Sequence, residues 1–134
     1  MTALEILKTY ALTTPIFLGI DLLWLGVIAK NFYQEKLGEM LRNPVNWPPA
    51  IIFYLLFPLG VILLAVSPAK ESESLQKALI LGALFGFYTY STYDLSNLAT
   101  LKNWPLSVTI TDIIWGTFIS TVTAGVAYLI TNNI

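Results

Sequence analysis

Residues 49–67 read PAIIFYLLFPLGVILLAVS and contain no charged side chain. A helix needs about 20 predominantly apolar residues to cross a hydrocarbon core about 30 Å thick, so this stretch predicts a membrane-spanning helix. Three other apolar stretches of similar length lie around it. The sequence therefore predicts one all-α domain over residues 1–134, a four-helix transmembrane bundle with spans at about 10–29, 49–67, 78–101 and 106–130.

The composition of the chain favours a lipid environment over water. Of its 134 residues, 56% are hydrophobic and 11% are charged, whereas soluble domains carry about 25% charged residues. The net charge of −1 provides no basic surface for nucleic acid. We therefore expect an integral membrane protein that has the lipid bilayer as its main partner and does not bind nucleic acid.

Cysteine and histidine are both absent from the chain. Their absence excludes disulfides, thiol nucleophiles and the usual zinc ligands, and it removes the commonest general base. We therefore expect no cofactor and no metal ion. Any proton-transfer chemistry must use carboxylates, tyrosines, lysines or water.

The segment after the first span, KNFYQEKLGEMLRN at residues 30–43, has a different pattern from the spans. Its apolar side chains fall near one helical face over about three turns. This pattern predicts a short amphipathic helix that lies at the membrane interface. We call the side of the membrane that holds this segment and the third loop side B. An alternative is that the segment forms a lid over a site that opens toward side B.

Three aspartates lie inside the predicted spans, and no basic side chain accompanies them there: Asp21, Asp94 and Asp112. A carboxylate at bilayer depth costs roughly 2.5–3.5 kcal/mol, so it is rarely kept without a role. At a rise of about 1.5 Å per residue, all three lie about 12 Å below side B. We therefore predict that the carboxyl groups meet in one water-poor pocket, with Thr14 and Phe17 on the same face of the first span as Asp21.

The pattern Asp-x-x-Trp occurs twice, as Asp21-Leu-Leu-Trp24 and as Asp112-Ile-Ile-Trp115. This spacing places each tryptophan on the same side of its helix as the aspartate, one turn away. An indole N–H can only donate a hydrogen bond, which suits an ionised carboxylate. The candidates for binding a cation or ligand are therefore the aspartates Asp21, Asp94 and Asp112 together with Asn97, Tyr93, Trp24 and Trp115.

Glycines mark the face on which the third and fourth spans are expected to pack. Gly82 and Gly86 form a GxxxG pattern, which allows two helices to approach closely. Gly116 lies on the same stripe of the fourth span as Asp112. The second span has no polar stripe, so we expect it to close the bundle against lipid.

Several segments together resemble a known family. They are DLLWLG at 21–26, NFY at 31–33, YDLSNLATLKNWP at 93–105 and TDIIWGT at 111–117. In these segments the chain resembles a bacterial family of small membrane proteins catalogued as domain of unknown function 2177. The resemblance implies a four-span membrane protein of about this length, and it brings no activity or substrate with it.

Three functions fit these observations. The leading hypothesis is binding or translocation of a cation, a proton or a small polar ligand by the carboxylates. A second is a membrane-embedded enzyme that acts on a lipid or isoprenoid with one aspartate as general acid. A third is an accessory subunit of a larger membrane complex. Because four helices form a narrow bundle, transport would need a homo-oligomer.

Overall fold

A computed structural model describes all 134 residues, and every regular element in it is helical. Helix α1 (Ala3–Leu23) continues into a π-helical turn (Trp24–Ile28), and α2 (Lys30–Leu37) ends in a 3₁₀ turn (Gly38–Met40). Helix α3 (Trp47–Val61) runs through a second π-helical turn (Ile62–Val66) into α4 (Ser67–Glu71). Helices α5 (Leu75–Thr100) and α6 (Leu106–Thr131) complete the chain.

The prediction of an all-α protein is confirmed, and three helical segments are long and apolar enough to cross a membrane. They are Ala3–Ile28, Trp47–Glu71 and Leu106–Thr131. Helix α5 has the length for a span, but its second half reads YTYSTYDLSN at residues 88–97 and is rich in hydroxyl groups. This polar half distinguishes α5 from the three apolar segments.

Helix α1 begins earlier than the predicted position near residue 10, because a capping box stabilises its first turn. The Thr2 hydroxyl accepts a hydrogen bond from the Glu5 N–H at 3.1 Å, and the Thr2 N–H donates to the Glu5 carboxylate at 3.0 Å. Such reciprocal bonds satisfy N–H groups that a helix start leaves free. Lys70 of α4 lies 3.3 Å from the Glu5 carboxylate, so the start of α1 is also tied to the end of the second long helical segment.

The closest helix pair is α5 with α6, and glycine makes this approach possible. A methyl group on Gly82 would lie 2.5 Å from the Ala124 side chain and 2.8 Å from the Ser120 carbonyl oxygen. On Gly86 it would collide with the Gly116 carbonyl oxygen and the Ser120 side chain. The backbones of the two helices therefore touch with no room for a side chain between them.

The buried core lies where α1, α3 and α6 meet, and large apolar side chains cover the outside. Phe17, Val61 and Ile119 have no exposed surface, whereas leucines, isoleucines and phenylalanines on the outer faces of the helices are exposed. An exposed apolar surface that continues over several helices is typical of a protein in contact with lipid. This distribution places the polar groups described next inside the helical assembly.

Candidate functional site

Asp21 is held by a tryptophan from the opposite end of the chain. Only 3% of its surface is exposed, and the Trp115 indole Nε1 donates to its Oδ1 at 2.9 Å. Helix α1 supplies the acceptor and α6 supplies the donor, so the bond joins two helices that lie far apart in sequence. A short bond to a buried carboxylate contributes more than one between neutral groups.

Asp112 is held in a similar way, with a tyrosine as intermediary. The Tyr33 hydroxyl of α2 donates to Asp112 Oδ1 at 2.9 Å, and Trp24 Nε1 donates to the Tyr33 oxygen at 3.3 Å. The rings of Trp24 and Trp115 stack with centroids 4.4 Å apart and planes 6° apart. The two Asp-x-x-Trp motifs therefore cross, because each tryptophan serves the aspartate of the other motif, one directly and one through Tyr33.

Asp94 has no such donor. Its side chain is 0% exposed, and neither carboxyl oxygen accepts a hydrogen bond from a neighbouring donor. Its side chain lines the same cavity as the carboxyl group of Asp112. Two carboxyl groups can form a hydrogen bond only when one of them carries a proton. A proton on one of the two groups would give Asp94 the hydrogen bond that it otherwise lacks.

The first cavity has a volume of about 600 Å³ and lies between all four long helices. Its acidic groups are Asp21 and Asp112, and no basic side chain lines it. Most of its remaining wall is aromatic, from Phe53, Tyr54, Phe57, Tyr90, Tyr93 and Trp115. Within this wall, the Phe57 ring packs against Tyr90 with centroids 5.8 Å apart. The cavity thus combines negative charge with aromatic faces.

A second cavity of about 400 Å³ lies beneath α2. Asp94 and Asp112 line it together with Lys30, Tyr33, Gln34 and Trp104. Asp112 is therefore the one carboxyl group that faces both cavities, whereas Asp21 lines only the first and Asp94 only the second. No group of three acidic side chains lies close enough together to hold a metal ion.

The structure places the other two candidate residues differently. Tyr93 lines both cavities, although 56% of its surface is exposed, and its ring packs edge-on against Trp104 with centroids 5.8 Å apart. Asn97 is half-buried one turn further along α5 and lines neither cavity. Tyr93 can therefore contact a bound molecule in either cavity, whereas Asn97 cannot.

Sequence reasoning missed the contributions of α2 and α3. In the sequence, Tyr33 is only one residue of the amphipathic segment 30–43, yet in the structure it is the donor to Asp112. The second span was expected to close the bundle against lipid, and it also contributes Phe53, Tyr54 and Phe57 to the wall of the first cavity. Their spacing of three and four residues forms an aromatic stripe, which was the available signal.

The phenol of Tyr33 is suited to donate rather than to ionise. Burial and the neighbouring Asp112 carboxylate raise the pKa of Tyr33 above its ordinary value. The hydroxyl therefore keeps its proton at physiological pH and stays available to Asp112. This arrangement makes α2 part of the site.

We expect Tyr33→Phe to destabilise the protein by about 1–3 kcal/mol, because it removes the hydrogen bond to the Asp112 carboxylate and leaves the Trp24 N–H without an acceptor. The measurement is the free energy of unfolding of purified protein in detergent. Tyr88→Phe is the matched control, since Tyr88 is 64% exposed. Equal stability of the two variants would mean that Tyr33 does not hold Asp112.

The comparison with known families agrees with this architecture. A family model described as predicted membrane protein (DUF2177) matches residues 6–129. The chain belongs to this family. No curated protein and no solved structure matches the chain. The protein is therefore a membrane protein with apolar helices, and the suspected family resemblance is confirmed.

Proposed function

We propose that all four long helical segments cross a bacterial inner membrane and that α2 lies at its side B surface. Helix α5 would cross as well, because its polar half contributes Tyr90 and Asp94 to the interior rather than to lipid. Segments that follow one another in sequence run in opposite directions. The connection from Ser72 to Ser74 between α4 and α5, for example, is short enough to form only a tight turn. In this arrangement both cavities lie in the half of the membrane next to side B.

We propose that the protein binds an organic cation in the first cavity. The observation that carries this proposal is an aromatic wall around two carboxyl groups with no basic residue to neutralise them. A cationic group over the face of an aromatic ring gains about 0.5–2 kcal/mol, with the larger values at desolvated sites. Asp21 and Asp112 would neutralise the positive charge, and the rings would contact the methyl or methylene groups around it.

The shape of the cavity indicates how such a molecule would enter. Helices α3 and α5 meet mainly at the π-helical turn Ile62–Val66 and at Phe57, and they diverge toward side B. The rim of the opening is apolar and exposed, with Leu25 at 39% and Phe53 at 41%. A cation with an apolar body could therefore reach the carboxylates from the bilayer as well as from side B. Translocation would require a homo-oligomer or a partner protein, because these helices surround no continuous pore.

The test is binding of benzyltrimethylammonium to the purified full chain in lipid nanodiscs. We expect saturable binding that weakens about tenfold or more in Asp21→Asn, because losing one charged partner costs about 1.5–3 kcal/mol. Glu35→Gln is the matched control, since it removes one negative charge from an exposed position of α2. Benzyl alcohol serves as the uncharged probe.

Two outcomes with benzyltrimethylammonium would contradict the proposal. One is the absence of saturable binding of benzyltrimethylammonium to the parent protein. The other is equal affinity of the parent and Asp21→Asn for this probe. Equal binding of benzyl alcohol and the cation would show an apolar pocket without a charge requirement, which also contradicts it.

The lateral opening also favours a second candidate, an enzyme that acts on a lipid or isoprenoid. The exposed aromatic rim would admit an apolar chain, and Asp112 would face the part of the substrate that lies between the cavities. A protonated carboxyl group beside an ionised one is the arrangement needed for general acid catalysis. Mass spectrometry of lipids that copurify with the protein, compared before and after incubation with membrane extract, distinguishes substrate turnover from simple binding.

A further inference from the structure

Asp94 is the carboxyl group that the proposed cation site does not use, and it lines the second cavity together with Asp112. Asp94 is 0% exposed, both of its carboxyl oxygens lack a donor, and the second cavity lies beside it. A buried carboxylate without a partner costs several kcal/mol in a medium of low dielectric. A shared proton removes this cost, since the protonated group donates to the ionised one.

We propose that Asp94 and Asp112 form a proton site that exchanges with water through the second cavity, and that a cation bound at Asp21 and Asp112 expels this proton. The proposal rests on the cation site described above. The exchange balances: one cation enters, the O–H bond of the carboxyl pair breaks, and one proton passes to water at side B. The protein would then couple cation binding to proton release.

The link between the two sites is Asp112, because it faces both cavities. Without a cation, its carboxylate accepts the proton shared with Asp94. A positive charge beside Asp112 competes with that proton, and the pair then holds it less tightly. The affinity for the cation must therefore rise with pH, since the deprotonated pair binds the cation better.

Other charged and titratable groups surround the pair and set its electrostatic environment. Asp21 of α1 faces Asp112 across the first cavity, and Tyr93 of α5 lies at the edge of both cavities. From α2, Lys30 and Tyr33 line the second cavity. Of these, only Lys30 is a cation, and its exposed side chain at the end of the second cavity marks a polar route toward side B.

Calorimetry tests the coupling. The binding heat is measured in two buffers that differ in ionisation enthalpy, and the difference between the two heats gives the number of protons released. Benzyltrimethylammonium carries no exchangeable proton, so any released proton comes from the protein. We expect release of up to one proton per bound cation and an affinity that rises by as much as about tenfold per pH unit. Asp94→Asn should still bind the cation but release no proton, and its affinity should not change with pH. Glu39→Gln, at an exposed position in the first loop, is the control and should behave like the parent.

The proton site would be overturned if the parent binds the cation without releasing a proton, or if Asp94→Asn releases as many protons as the parent. In both cases the proposed cation binding would still stand. Infrared spectroscopy of the protein without any cation provides an independent measurement. We expect the C=O stretch of a protonated carboxyl group at neutral pH, present in Asp21→Asn and lost in Asp94→Asn. Absence of this band in the parent would overturn the proposal even if no cation binds. A thermal unfolding curve for each variant confirms that it is folded.

Discussion

Gly86→Leu should abolish the packing of α5 on α6 and destabilise the protein by about 3 kcal/mol or more. The first carbon of any side chain at this position would collide with the Gly116 carbonyl oxygen and the Ser120 side chain. Because one of these atoms is backbone, it cannot rotate away, and the two helices would have to separate. The loss is measured as the free energy of unfolding in detergent and as a shift in elution on a sizing column.

Gly19→Leu is the matched control for this change. A side chain at Gly19 would meet no atom within 4 Å, and this position lies on an exposed face of α1. The control therefore repeats the same chemical substitution in a helix without the collision. If both variants unfold at the same denaturant concentration, close approach at Gly86 is not required for the fold.

The contact between α5 and α6 is the part of the fold that a sequence pattern could predict best. Gly82 and Gly86 repeat every four residues, and Gly116, Ser120 and Ala124 repeat at the same interval on α6. Two stripes of small residues pack because the backbones can approach without losing side-chain contacts. In the structure, these same residues meet one another.

The inward face of α1 was also predictable, but only up to the point where the helix changes its geometry. Thr14, Phe17 and Asp21 were expected on one face, and they are 8%, 0% and 3% exposed. From Trp24 to Ile28 the chain forms a π-helical turn, which has more residues per turn than an α-helix. Ile28 lies seven residues after Asp21, so a period of 3.6 residues would place it on the same inward face, yet it is 64% exposed.

The partners of the aspartates could not be predicted from periodicity. A stripe tells which face of a helix is buried, whereas the bond from Trp115 to Asp21 depends on the rotation and height of α6 relative to α1. The same holds for Tyr33, which reaches Asp112 only because α2 packs back against the helices. Depth counting placed the aspartates in one layer, but it could not show that Asp112 separates two cavities.

Trp115→Ala should destabilise the protein by about 3 kcal/mol, at the lower end of the range for removing a large aromatic side chain, because Trp115 is partly exposed. The variant loses the stack on Trp24, the contact with Phe118 and the hydrogen bond to Asp21. Trp115→Phe retains an aromatic ring and loses the N–H donor, so it should lower the free energy of unfolding by about 1.5–3 kcal/mol. Unfolding in detergent gives both values.

Trp24→Phe separates stacking from hydrogen bonding, because it also keeps a ring in the aromatic pair. Its N–H donates at 3.3 Å to the neutral Tyr33 hydroxyl, whereas the N–H of Trp115 donates at 2.9 Å to a carboxylate. A bond between neutral groups contributes about 0.5–1.5 kcal/mol, so Trp24→Phe should cost less than Trp115→Phe. Equal losses would mean that the stacked rings, rather than their hydrogen bonds, determine the stability of this region.

A double-mutant cycle of Trp115→Phe with Asp21→Asn isolates the bond that joins α1 to α6. If the indole N–H donates to the Asp21 carboxylate, each single substitution already removes the charged hydrogen bond. The free energy of unfolding of the double variant then falls by less than the sum of the two single losses. We expect a coupling energy of about 1–3 kcal/mol. Strict additivity would show that the two side chains do not interact. The two Asp-x-x-Trp motifs would then not be crossed, and no hydrogen bond from Trp115 would explain why the Asp21 carboxylate is buried at the wall of the first cavity.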